Sequence, residues 1–203
     1  MRSAPPIPSG KRLALEEYLA DAEPRFSRIN PSGTWKLERQ QTFRELDNPS
    51  WEASARGDWE QSITLLQQGR DGVREYQQKL RDHGITPRRV RIVEKPYSPY
   101  LVWELNSLLI RHEFGEIIRV LPASELLSVE RGQPLPEILV VGTEVVYRVI
   151  YDHTGLAAGA VRSTGPDTVR SWTGFIRHLH EQGENLPDFF AREITDLRPA
   201  YLP

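Results

Sequence analysis

Residues 94–100 carry basic and hydroxyl side chains suited to binding a charged ligand. The segment follows a predicted strand and opens a predicted helix, the position at which open α/β sheets bind ligands. Free N–H groups at the start of a helix attract anions. The residues that we predict to bind a ligand here are Lys95, Tyr97, Ser98, Tyr100 and, one helical turn further on, Glu104. The alternative is a connecting loop whose prolines only set the direction of the helix.

Two arginines add positive charge near this segment. Arg89 and Arg91 lie two positions apart in a predicted strand, so both point to the same face of the sheet. Paired arginines bind phosphate or carboxylate groups, and we include both in the predicted ligand site. The alternative places them on an edge strand or on a face exposed to solvent, where charged residues are common.

The sequence lacks the common signatures of catalysis and metal binding. It contains no GxxxxGK[ST], GxGxxG, HExxH, GxSxG or EF-hand motif and no cysteine. His178 and His180 lie two positions apart in a predicted helix, so they point in different directions and cannot share a metal ion. His153 has a side chain suited to acid–base chemistry, but no partner can be placed beside it. We therefore predict no metal and no cofactor, and we assign no catalytic residue.

Composition restricts the class of protein. Of the 203 residues, 38% are hydrophobic and 27% charged, values typical of a globular protein. No apolar run approaches the roughly 18 residues of a membrane span. The first residues lack the apolar region of a secretion signal, so we predict a cytoplasmic protein without membrane contact. A net charge of −2 does not favour direct nucleic-acid binding.

The start of the chain predicts a leader, a helix and a strand. Residues 1–10 are rich in proline and are expected to form a disordered leader. Apolar spacing predicts a short helix over 11–22 that ends at Pro24. A turn is predicted at 30–33, and residues 34–39 alternate as a half-buried strand does.

A long helical pattern follows Asp58, which is a plausible N-cap. The pattern stops at residues 83–84, and Gly69 and Gly72 weaken its centre, so it predicts either one bent helix or two helices. The tryptophans predicted to form an aromatic cluster among these elements are Trp35, Trp51 and Trp59.

Residues 85–203 predict an α/β domain. A strand over 88–93, a helix over 99–114 and a strand over 117–121 form a βαβ unit, which implies two parallel strands. Three further strands predicted to form an antiparallel meander cover 138–141, 144–151 and 156–163.

A last long helix opens at Pro166, and a short helix is expected after Pro187. The apolar residues predicted to face the core from the long helix are Val169, Trp172, Ile176 and Leu179. The sequence therefore predicts an α/β or α+β fold with a mixed sheet. A mainly helical segment with one strand, over 11–84, is expected to pack on that sheet or on a second copy.

Five sequence motifs resemble those of an uncharacterised actinobacterial family, and the resemblance covers most of residues 25–195. The motifs occupy residues 35–39, 49–52, 57–60, 89–94 and 99–105. Members of that family are domains of unknown function, often encoded beside helix-turn-helix regulators. The resemblance therefore implies a regulatory or sensing role and such a regulator, or another protein, as partner. It identifies no catalytic residue.

The order of elements in the second half also resembles a phospholipase-D-type α/β domain. The catalytic signature of that family is His-x-Lys with a downstream Asp. None of the five histidines has a lysine two positions later. The resemblance therefore implies a shared fold without the nucleophilic chemistry, and fold alone does not define function.

Two classes of function stay open. The first is a non-catalytic regulatory or ligand-sensing module that binds a protein or a small anionic metabolite. The second is a small enzyme with an unrecognised active site near residues 95–104. A perturbed acid or base in a closed pocket favours the enzyme, and a shallow apolar patch favours the binding module. A homodimer is compatible with either class.

The absence of cysteine and of histidines at a metal-binding spacing generates the first prediction. We expect thermal unfolding curves with and without EDTA to overlap, because no structural metal stabilises the fold. A melting temperature that falls by several degrees on chelation contradicts this prediction.

Overall fold

The computed structural model describes residues 3–26, 33–130 and 132–199. Within them, eight strands form one mixed sheet: β1 (Lys11–Ala14), β2 (Thr34–Glu38), β3 (Pro87–Val93), β4 (Ile117–Pro122), β5 (Ile138–Val141), β6 (Val145–Tyr151), β7 (Ala157–Ser163) and β8 (Glu184–Asn185). Their order across the sheet is β1-β7-β6-β5-β2-β3-β4-β8.

The helices of the described residues are α1 (Leu15–Phe26), α2 (Pro49–Ala55), α3 (Trp59–Gln68), α4 (Arg70–Asp82), α5 (Pro99–Glu113), α6 (Leu127–Glu130), α7 (Pro166–Gln182) and α8 (Leu186–Glu193). A short 3-10 turn over Ala123–Leu126 precedes α6. The α/β class with a mixed sheet is therefore confirmed.

The sheet has a parallel and an antiparallel part that meet at β2. Strands β2, β3 and β4 are parallel, and the connections between them run through α2–α4 and through α5. Strands β5, β6 and β7 form an antiparallel meander, and β5 pairs antiparallel with β2. The predicted βαβ unit and the predicted meander are both confirmed.

Helix α7 covers one face of the sheet. Its residues Val169, Trp172, Ile176 and Leu179 are buried against β2, β3, β5 and β6, as predicted. On the opposite face α5 and α8 cover β3 and β4, while α1 covers β5, β6 and β7. The part of that face above β2 lies between these two groups of helices.

Local signals define the helix boundaries well. The side chain of Asp58 accepts a hydrogen bond from the N–H of Gln61, so the predicted N-cap is confirmed. The long helical pattern divides into α3 and α4 at Gly69, and α4 ends just before His83. Gly84 follows in the left-handed region, with φ +70°, where glycine is favoured.

The predicted helix over 11–22 is wrong at both ends. Residues 11–14 form β1, because their backbone pairs with β7 at the edge of the sheet and Leu13 is buried there. Helix α1 then continues through Pro24 to Phe26. Near its end the Nε of Arg25 donates a hydrogen bond to the Asp21 carbonyl at 3.1 Å. The segment over 11–84 thus supplies two strands rather than one.

The three tryptophans do not form a single cluster. Trp35 lies on the α7 face of β2, where the guanidinium groups of Arg88 and Arg177 stack on its ring at 5.0 and 5.5 Å. Trp51 and Trp59 pack on the opposite side, around Phe43, Tyr100 and Trp103. The alternation of side chains along β2 separates Trp35 from the other two.

The described part of the leader, residues 3–10, lies against the domain. The indole Nε1 of Trp172 donates a hydrogen bond to the carbonyl of Pro6 at 3.2 Å, and Ala4 packs on the α7 core. The predicted turn at 30–33 falls mostly outside the described residues, which resume at Gly33. No helix in the described ranges is long and apolar enough to cross a membrane.

The pairing of β1 with β7 generates the second prediction. Gly159 has φ +133°, and a Cβ atom there would lie 2.1 Å from the carbonyl oxygen of Leu13. We expect Gly159→Ala to lower the free energy of unfolding by about 2 kcal/mol or more, because strain and a backbone clash coincide.

Gly72→Ala is the matched control. Gly72 lies in α4, and a Cβ atom added there would meet no atom within 4 Å beyond the adjacent backbone of its own helix, so alanine is expected to stabilise the protein by about 0.5 to 1 kcal/mol. Urea unfolding of both variants measures the difference. Equal stability of Gly159→Ala and the parent would contradict the close approach of β1 to β7.

Candidate functional site

Charged residues of the neighbouring strands β2 and β3 line the face of the sheet opposite α7. Lys36 and Glu38 of β2 point to this face, as do Arg89 and Arg91 of β3. Arg91 is 0% exposed, and Glu38 and Arg89 are also buried. The alternative interpretation of the two arginines, an edge strand or a solvent face, is wrong, because β3 lies between β2 and β4 and helix α5 covers it.

Arg89 joins two carboxylates from different parts of the sheet. Its Nη1 donates to Oε2 of Glu38 at 2.6 Å, and its Nε donates to Oε1 of Glu116 at 2.7 Å. The other oxygen of Glu38 lies 2.5 Å from the Nζ of Lys36. Burial alone would raise the pKa of Glu38, but the charges of Arg89, Lys36 and Arg91 outweigh it and hold the pKa well below the usual range.

Arg91 pairs with the predicted site residue Glu104. Its Nε donates to Oε2 of Glu104 at 2.7 Å, and its Nη1 donates to the carbonyl of Ile92 at 2.9 Å. Nη2 also lies 2.7 Å from Oε2, but its direction does not make a hydrogen bond. Burial raises the pKa of Glu104 above its ordinary value, and the charge of Arg91 offsets part of that rise.

A cavity of about 320 Å³, which we call the charged cavity, opens above these residues. Its polar lining consists of Lys36, Glu38, Arg44, Glu45, Asn48, Arg89, Tyr100, Glu104, Ser107, Arg111 and Tyr151. The hydroxyl of Tyr100 donates to Oε1 of Glu45 at 2.7 Å. Within the described residues, Arg44 and Arg111 make no ion pair and no donor reaches Oε1 of Glu104, so these groups are free to meet a ligand.

The structure divides the predicted ligand-binding residues between two places. Arg89, Tyr100 and Glu104 line the charged cavity, with Arg91 directly behind Glu104. Lys95 and Tyr97 line a different cavity of about 520 Å³ beside α8. The single site expected from residues 95–104 is therefore not formed, because Tyr100 and Glu104 project from α5 toward β2 whereas the preceding loop meets α8.

The loop residues already have partners within the protein. Lys95 Nζ lies 2.7 Å from Oε2 of Glu193, and the Tyr97 hydroxyl donates to the same oxygen at 3.2 Å. Ser98 caps α5: its Oγ accepts from the N–H of Leu101 at 3.0 Å and donates to the carbonyl of Gln41. The start of α5 is therefore capped by its own serine, which is how a helix start without a ligand is satisfied.

Sequence reasoning missed Lys36, Glu38 and Arg111. Arg111 follows Glu104 by seven positions in α5, and this spacing places both on one helix face, so the periodicity contained a usable signal. The charges of β2 alternate with Trp35 and Leu37, a pattern equally typical of a strand with one face in water. Nothing in the sequence identified the second face of β2 as partly buried.

A further buried carboxyl lies beyond the end of β2. Oε1 of Glu137 accepts hydrogen bonds from the N–H groups of Arg39 and Gln40, each at 2.7 Å. These bonds replace sheet pairing, which explains why β2 ends at Glu38, one residue before the predicted end of the strand. Oε2 of Glu137 is buried and has no partner among the described residues. Burial, assisted by the negative charge of Glu38, raises the pKa of Glu137 to about 7.

Metal coordination finds no support in this arrangement. The described residues contain no group of three or more His, Cys, Asp or Glu side chains that could hold a metal ion. His180 instead packs edge-on against Trp35, with ring centroids 5.5 Å apart. The site is thus an ion-paired cavity in an α/β domain.

Comparison with known proteins places this α/β domain in a family. The chain belongs to the family described as Domain of unknown function (DUF6879), whose model matches residues 20–191. The resemblance to an uncharacterised family is therefore confirmed. No curated protein and no solved structure matches the chain significantly.

Glu137 generates the third prediction. The folded-state pKa of Glu137 is raised to about 7, whereas in the unfolded chain the carboxyl has its ordinary, lower pKa. The free energy of unfolding is therefore highest at low pH, where the carboxyl is protonated in both states. It falls as the pH rises through 7, because the folded protein must then hold a buried carboxylate. Glu137→Gln stays neutral and keeps an acceptor for both N–H groups. We expect the variant to match the parent near pH 4, below the ordinary pKa of a glutamate, and to exceed its stability near pH 8 by on the order of 3 kcal/mol.

Chemical denaturation at several pH values measures this difference. Glu125→Gln, at an exposed position, is the control and should keep the pH dependence of the parent. The same pH dependence in Glu137→Gln and the parent would contradict a buried, mostly protonated Glu137.

Proposed function

We propose that this protein is a ligand-binding module whose charged cavity takes a small anion bearing a carboxylate or phosphate group. The observation that carries the proposal is the half-buried guanidinium of Arg111, which lines the cavity without an ion pair among the described residues. A guanidinium presents several N–H donors in a fixed plane that matches both kinds of anion. Binding would supply the counter-charge that the protein does not provide.

The balance of charge around the cavity supports an anion over a cation. Four basic and three acidic side chains line it. Glu38 is shared by Lys36 and Arg89, and Arg89 also holds Glu116. Glu38 and Glu104 are each ion-paired with a buried arginine, and Glu45 accepts a hydrogen bond from the Tyr100 hydroxyl. Arg44 and Arg111 make no ion pair among the described residues, so the ion pairs leave two cationic groups against the one acidic group of Glu45. Because ion pairs with neighbouring residues hold Arg89 and Lys36 in place, a ligand meets donors that are already oriented.

The alternative function is a small enzyme, and one observation favours it. Glu104 lines the cavity, is buried, and has one carboxyl oxygen that no described donor contacts. A carboxyl with a raised pKa in such a place is suited to act as an acid or a base. Turnover of a small molecule that is lost in Glu104→Gln, while binding is kept, would make the enzyme the better assignment.

The proposal also includes a regulatory role and a protein partner. The resemblance to actinobacterial domains encoded beside helix-turn-helix regulators supports a cytoplasmic sensor that contacts such a regulator, another protein or a second copy. A phospholipase-D-like fold of the second half, without the catalytic motif of that family, is part of the same proposal. The absence of His-x-Lys supports binding over phosphodiester hydrolysis.

The fourth prediction tests the anion site directly. NMR titrations with sodium acetate and sodium phosphate, at ionic strength held constant with chloride, are expected to shift the amide signals of Tyr100, Glu104 and Arg111. Arg111→Met is expected to weaken binding about tenfold or more, because a hydrogen bond to a charged group is lost.

Arg170→Met is the matched control. Arg170 is exposed and lies on α7, on the other side of the sheet, so this variant should bind as the parent does. Equal affinity of Arg111→Met and the parent, or signal changes confined to other regions, would contradict the proposed site.

A further inference from the structure

An apolar depression lies beside the charged cavity on the same face of the sheet. We call it the apolar trough; its volume is about 630 Å³, and it is lined by Tyr18, Leu19, Phe26, Tyr76, Leu80 and Leu139. Helix α1 forms one wall, α4 forms the other, and Leu139 of β5 lies at the floor. A volume of this size is typical of a small-molecule site.

The trough and the charged cavity are continuous. A connecting space of about 250 Å³ shares Tyr18, Tyr76 and Leu80 with the trough. The same space shares Arg89 and Arg111 with the charged cavity. One groove therefore runs across the sheet, apolar at one end and charged at the other.

Large apolar side chains are exposed to solvent along this groove. Leu19 on α1 is 55% exposed and Tyr76 on α4 is 47% exposed, and they lie on opposite walls of the trough. Contiguous exposed apolar surface of this kind marks binding sites more often than single scattered residues do. A ligand between the two walls would remove both side chains from water.

The two ends of the groove differ in charge, which fixes the orientation of a ligand. The charged side chains at the rim of the trough, Glu23 and Lys79, are of opposite sign. At the other end lie two guanidinium groups that make no ion pair among the described residues, those of Arg111 and Arg44. An anionic head group is therefore attracted to the charged cavity, and an apolar chain attached to it follows the trough.

We infer that the natural ligand is a carboxylate with a linear apolar chain, bound with its head at Arg111 and its chain between Leu19 and Tyr76. This inference rests on the proposed function, because it assumes that the charged cavity binds an anion. It adds the chemical class of the whole ligand, a free carboxylate with a linear alkyl chain, which the charged cavity alone does not define.

The experiment measures the affinity of acetate, hexanoate, octanoate and decanoate for the full chain by isothermal titration calorimetry, below the micelle-forming concentration. Each methylene buried in the trough is expected to tighten binding about threefold to fourfold from hexanoate to decanoate. Octan-1-ol, which has the chain without the charge, is expected to bind more weakly than octanoate.

Two variants locate the chain. Leu19→Gln places a polar group on the wall of the trough and is expected to flatten the dependence on chain length. Leu127→Gln is the matched control, because Leu127 is 74% exposed and lies outside the groove. Thermal unfolding confirms that both variants are folded before titration.

The outcomes separate the inference from the proposed function. Equal affinity for acetate and decanoate would overturn the inference and leave the anion site in place. Absence of binding for every carboxylate, acetate included, would overturn the inference, and absence of phosphate binding as well would overturn the proposed function. Chain-length dependence that Leu19→Gln leaves unchanged would place the chain elsewhere and overturn the inference. A dimer in sedimentation that Leu19→Gln converts to a monomer, without carboxylate binding, would make the trough an interface between copies and overturn it as well.

Discussion

The pairing of two buried arginines with carboxylates is the constraint on which the rest of the structure depends. Arg89 connects β3 to Glu38 on β2 and to Glu116 before β4, and Arg91 connects β3 to Glu104 on α5. An unpaired buried charge costs several kcal/mol, on the order of the whole stability of a small domain. A shift of β3 by one residue would turn both arginines toward the apolar α7 face. The ion pairs therefore fix the register of the central strands and the position of α5 together.

The same charges explain why the sheet is incompletely covered. Residues of β2 that face away from α7 are Thr34, Lys36 and Glu38, which offer no apolar surface for a helix to cover. Helices α1 and α5 pack instead on the apolar residues at either side. The groove above β2 is thus a direct result of the sequence of that strand, and the position of Arg111 beside it follows from α5 being fixed by Arg91.

Local patterns predicted the second half of the chain well, because its elements are contiguous and end at strong signals such as Ser98, Gly115 and Pro166. Residues 11–14 were misassigned, because their strand conformation depends on β7, far away in the sequence. The candidate site was predicted in part for a related reason. Spacing identified Arg89, Arg91 and Glu104. The carboxylates that form ion pairs with Arg89, those of Glu38 and Glu116, become its neighbours only in the folded sheet.

The position of β2 has a consequence for how the protein folds. This five-residue strand joins the two parts of the sheet, and its Thr34 pairs with Pro87 on one side and Val141 on the other. Both contacts close long loops, and the entropy of loop closure opposes their early formation. The hairpins of the meander and the βαβ unit are closer in sequence and can form first. We therefore expect the centre of the sheet to be completed late, when the charged strand enters between two preformed halves.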